Sequence, residues 1–175
     1  MNAKHEEVTC LLNFGGFYGY HDEYIDTLIT HLEINTEDVD YQTTYQNYAR
    51  AWIDQFNSEL NLSLEYVDIN SPLYYNYTTD KLNVKLKGEE ADRLVKEYLQ
   101  NEKFKSYADY HLTSRSGFIS FYDGLDDLLE RSESELDEYE LLVNLILDFM
   151  VIDTNINALV YELEYDIALK AEKLI

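Results

Sequence analysis

The chain has 175 residues with 35 acids against 13 lysines and arginines, a formal net charge of -22. Its 46 % hydrophobic and 14 % aromatic content supplies a real core and excludes an intrinsically disordered acidic tail. One cysteine excludes an internal disulfide and any multi-cysteine zinc module, and 6 glycines with 1 proline leave little for linkers or low-complexity repeats. The opening residues lack a signal peptide's apolar core, and the longest apolar stretch, Leu141 to Ile152, is broken by Asn144 and Asp148. The expectation is a soluble, cytoplasmic, single domain over 1–175, with an α/β part at 1–122 and an acidic helical part at 123–175.

Residues 6–13 read as a first strand, and three glycines in Phe14-Gly15-Gly16-Phe17-Tyr18-Gly19 break the pattern into a loop. Ile25, Leu28, Ile29 and Leu32 recur at helical spacing, which predicts an amphipathic helix over 21–33. Tyr45, Tyr48, Ala49, Trp52, Phe56 and Leu60 predict a longer one over 41–60 with aromatic residues facing the core. Alternation at Leu62, Leu64 and Tyr66 predicts a strand at 62–69, which Ser71-Pro72 ends. Lys81 to Lys87 alternates lysine with apolar residues apart from Asn83, a period-2 strand that Gly88 terminates.

A helix follows at 89–102 with Leu94, Val95, Tyr98 and Leu99 inward, then an unassigned stretch to Tyr110 and an aromatic strand at 117–122. That gives a sheet of at least four strands. The rest reads as helices at 124–131, 134–152 and 154–173, the last two as an αα-hairpin. Ser132-Glu133-Ser134-Glu135 carries a capping-box pattern before the middle one, whose stripe is Tyr139, Leu142, Val143, Ile146 and Met150. The fold class is α+β: a small antiparallel or mixed sheet packed with amphipathic helices, ending in a helical C-terminal region.

Charge is concentrated in blocks. Residues 1–80 and 116–175 each carry net -12, and residues 81–115 between them carry net +2. Double-stranded DNA presents one charge per ~1.7 Å of axis, so ~22 charges correspond to roughly 37 Å of duplex. A compact chain of this length is about 40 Å across. Net negative charge at that density attracts clefts that hold phosphates and repels nucleic acid and acidic membranes.

Between Asp123 and Asp153 lie 11 acids and a single base, Arg131. Carboxylates four apart on a helix stand about 6 Å apart along the axis, close enough to imitate neighbouring phosphates. Asp123, Asp126, Asp127, Glu130, Glu133, Glu135, Asp137, Glu138 and Glu140 are therefore the candidate partner-binding surface. A solvated helix face, with acids placed at N-termini for the dipole, accounts for the same residues without a partner. The 17 tyrosines, several beside acids, suit a protein interface, although their periodicity places most in the core or at its boundary.

No metal-ligand spacing links His5, His21, His31 and His111, and there is no phosphate-binding glycine loop, serine nucleophile elbow or calcium loop. Neither a cofactor, a metal nor a catalytic residue is expected. A rival reading is a small hydrolase or nucleotide-modifying enzyme built from the Gly-Phe-Tyr loop, Asp80 and His21 or His111. Others are a scaffold protein dimerising through its C-terminal helices, or adaptation to high salt.

Three segments carry a resemblance: Phe14-Gly15-Gly16-Phe17-Tyr18 followed by His21-Asp22; Ser71-Pro72 leading to Tyr75-Asn76-Tyr77-Thr78-Thr79-Asp80-Lys81-Leu82; and Thr113-Ser114 leading to Gly117-Phe118-Ile119-Ser120-Phe121-Tyr122. Over residues 13–124 the chain resembles small acidic proteins of bacteriophages and mobile elements, with Tyr77 where their motif has Phe and Lys81 where it has Arg. The resemblance implies that setting and no particular reaction. In charge and size the chain is also similar to DNA mimics that disable restriction enzymes or CRISPR effectors. The function expected is thus a non-enzymatic inhibitor whose partner is a basic, DNA-binding host defence protein, with no direct contact to nucleic acid or membrane.

Overall fold

The computed structural model describes residues 3–13, 41–67, 81–116 and 124–156. Within them lie strands β1 (Glu7–Asn13), β2 (Glu65–Tyr66) and β3 (Lys81–Lys87). The helices are α1 (Tyr41–Leu60), α2 (Gly88–Tyr98), α3 (Glu102–Ser116), α4 (Gly124–Ser132) and α5 (Leu136–Asp153). The strands form a three-stranded antiparallel sheet in the order β1-β3-β2, so the α+β class expected from the sequence is observed. The helices expected at 21–33 and 154–173 and the strand at 117–122 lie outside the described residues, Thr154 to Ile156 apart.

The chain divides into two compact units, one of Met1–Cys10 with Lys85–Asp153, the other of Leu11–Val84 with Thr154–Ile175. In the second, α1 buries Ala51, Ile53, Phe56 and Leu60. Asn61, in the left-handed region at φ 54°, ends the helix where an asparagine is tolerated. The next strand is shorter than the expected 62–69. Asn57 of α1 takes both backbone groups of Leu64, donating from Nδ2 to its carbonyl at 2.9 Å and accepting its N–H at 2.7 Å. Leu62 and Leu64 are buried as the alternation requires, but Leu64 is tied to the helix rather than to a ladder.

In the first unit Val8 of β1 and Leu86 of β3 are buried, and β3 runs directly into α2 at Gly88. Glu89 and Glu90 in the first turn of α2 and Lys96 in its last suit the helix dipole. The helix expected over 89–102 stops at Tyr98, and the stretch left unassigned to Tyr110 is α3. Asn101 explains both differences: its backbone N–H bonds back to the Tyr98 carbonyl, and its side-chain oxygen accepts the Phe104 N–H at 3.1 Å as a cap for the new helix. Phe104, Ala108 and Leu112 then face inward at four-residue spacing. Phe104 and Phe149 of α5 meet edge to face at 5.7 Å, with Tyr98 packed against both.

Helix α5 buries Tyr139, Leu142, Val143, Ile146 and Met150, the stripe read from the sequence, and also Leu145, Leu147, Phe149 and Val151. The expected capping box does not form. Ser132 donates to the Leu129 carbonyl at 2.9 Å and Ser134 to the Arg131 carbonyl at 3.4 Å, so both hydroxyls close the end of α4 instead. The N–H groups of Ser134 and Glu135 converge on the same Arg131 carbonyl, and the Glu135 carbonyl opens α5 by accepting from Tyr139.

A short strap before β1 is pinned to α2 and α5. The Lys4 N–H donates to Asp92 Oδ2 at 2.9 Å, and the Tyr139 hydroxyl donates to Asp92 Oδ1. The His5 ring packs 4.8 Å from the Tyr139 ring, and Lys4 Nζ lies 5.3 Å from that ring's centre. Gly88 donates to the Glu6 carbonyl at 2.8 Å and lets the His5 carbonyl approach so closely that a Cβ there would stand 1.6 Å from it. Gly88→Ala should therefore dislodge the strap and cost about 1–3 kcal/mol. Urea denaturation measures this, and an unchanged midpoint would contradict the close approach.

Burial, reinforced by the charges of Glu140 and Asp148, pushes the Cys10 thiol up to about 12. Burial also raises the Tyr139 phenol, aided by its bond to Asp92. Acids that resist deprotonation only when folded support the fold below their ordinary pKa and withdraw that support as pH approaches the folded value. Unfolding free energy should therefore decline between about pH 9 and 12, and Cys10→Ala should flatten the decline. Denaturant titrations across that range provide the test; an equal slope in both proteins would remove Cys10 from the explanation.

Candidate functional site

The acids cluster on α4 and the start of α5, helices that pack against each other within one compact unit. Their amphipathicity sets the direction. Gly124, Leu125, Leu128 and Ser132 of α4 are buried, which leaves Asp126 and Glu130 exposed on the opposite side. Helix α5 is buried around most of its circumference, so its carboxylates concentrate at the first turn, where Asp137 is exposed. Glu133 and Glu135 are exposed in the connecting turn.

Of the nine expected surface residues, these five are solvent-facing and form no ion pair among the described residues. The other four differ. Arg131 reaches Asp127 Oδ2 at 3.3 Å and Glu138 Oε1 at 3.4 Å, neutralising two members of the set while tying α4 to α5. Glu140 is half-buried, and its backbone carbonyl accepts a weak bond from Cys10 Sγ at 4.0 Å. Asp123 lies outside the described residues. The Asp127–Arg131 pair is readable as an i,i+4 contact, whereas Glu138 across the turn has no sequence signal.

The entrance to α4 is fixed by a residue the charge pattern does not mark. Asp109 of α3 accepts the Leu125 N–H at 2.7 Å, capping α4 from a neighbouring helix and setting where Asp126 emerges. Gly124 beside it is buried against α3, close enough that a Cβ there would stand only 3.1 Å from Leu112 Cβ.

Of the residues of the enzymatic rival, His111 alone lies among the described residues. The His111 ring contacts the rings of Tyr107 at 4.2 Å and Tyr110 at 5.5 Å and makes no hydrogen bond among the described residues. Asp80, His21 and the Gly-Phe-Tyr loop lie outside them. Among the described residues no group of three His, Cys, Asp or Glu could hold a metal ion, and no helix is long and apolar enough to cross a membrane. No protein-family model, curated protein or solved structure matches the chain.

Two substitutions test this arrangement. Asp109→Ala should lower stability by about 1 kcal/mol, with Asp109→Asn, which keeps an acceptor, losing less; equal losses would show that the cap is not the cause. Arg131→Gln should free Asp127 and Glu138 and increase binding of a polylysine probe, at a stability change of ~0–1 kcal/mol because the pairs are partly exposed. Calorimetric titration measures the binding, and a weaker complex would mean that Arg131 matters by orienting the helices.

Proposed function

We propose that the protein is a non-enzymatic, phage-type inhibitor that presents the α4–α5 carboxylates to the DNA-binding cleft of a host defence nuclease in the bacterial cytoplasm. The observation that carries this reading is the exposure, without basic partners among the described residues, of Asp126, Glu130 and Asp137 on two packed helices and of Glu133 and Glu135 in the turn between them, in a chain with net charge -22. Asp126 and Glu130 are about one helical turn apart, roughly 6 Å along the axis. Backing by a packed core fixes the helix backbone that carries Asp126, Glu130 and Asp137, so on meeting a row of lysines and arginines their side chains, not the chain itself, remain to be ordered. Opposite fields steer the encounter and make it fast and sensitive to salt.

Neutralising Asp126, Glu130, Glu133, Glu135 and Asp137 as amides should weaken inhibition roughly 10- to 100-fold, given about 0.3–0.5 kcal/mol for each exposed charge. Circular dichroism should show the variant still folded; full inhibition by a folded variant would remove this surface from the reading. Pull-down from bacterial lysate, with and without competing duplex DNA, identifies the partner. Capture that duplex DNA abolishes is expected, and capture indifferent to duplex would count against mimicry.

A further inference from the structure

We draw no further inference here: the strongest candidate, the aromatic stripe on α3 that runs from Tyr107 through His111 to exposed Tyr110, has exposed Lys103 on its own helix and acidic α4 packed alongside, so nothing in the structure shows what covers it.

Discussion

Burial of α5 on most of its circumference is the constraint from which the placement of charge follows. Nine of its residues are buried, and a carboxylate among them would need a partner to offset its desolvation. The helix therefore keeps its acids at its first turn, on its flanks and at its end, where Asp153 is exposed. Helix α4 solves the same problem differently, with a narrow apolar stripe and acids opposite. Packing the two together brings one acidic turn beside another, and Arg131 relieves part of the repulsion between them.

That arrangement separates two roles for charge. Asp92, Asp109 and the two partners of Arg131 are engaged in holding elements together: Asp92 accepts from both Lys4 and Tyr139, and Asp109 caps a helix that is not its own. Asp126, Glu130, Glu133, Glu135 and Asp137 hold no second element in place among the described residues, although Asp126 and Asp137 favour the dipoles of their own helices from the first turn. Exposed acids without internal partners repel one another and lower stability, so their accumulation is a cost that an external cationic surface would offset. The proposed inhibitor function rests on this distinction rather than on net charge alone.

Where one periodicity dominated, the sequence was legible. The alternation from Lys81 to Lys87 and the helical spacing through Trp52, Phe56 and Leu60 match the bounds of β3 and α1, and the α5 stripe is buried as read. Legibility failed where a side chain took over a backbone group. Asn101 divides what looked like one helix to residue 102, and Asn57 shortens the strand after α1 by occupying Leu64. The serines near residue 133 fit a capping box by spacing, yet both turn back to carbonyls of α4. Of the candidate residues, the helical placement of Asp126, Asp127, Glu130, Asp137, Glu138 and Glu140 was readable from composition and period, whereas Glu135, expected on the second helix, stands in the turn before it. The partial neutralisation of the surface through Glu138 was not readable, because that contact spans a turn.

Competition between this protein and duplex DNA for one cleft is the central claim. The direct measurement is fluorescence anisotropy of a labelled duplex bound to the captured partner, titrated with this protein at several salt concentrations. Full displacement of the duplex is predicted, with affinity falling as salt rises. A ternary complex in which the duplex stays bound at saturation would contradict it.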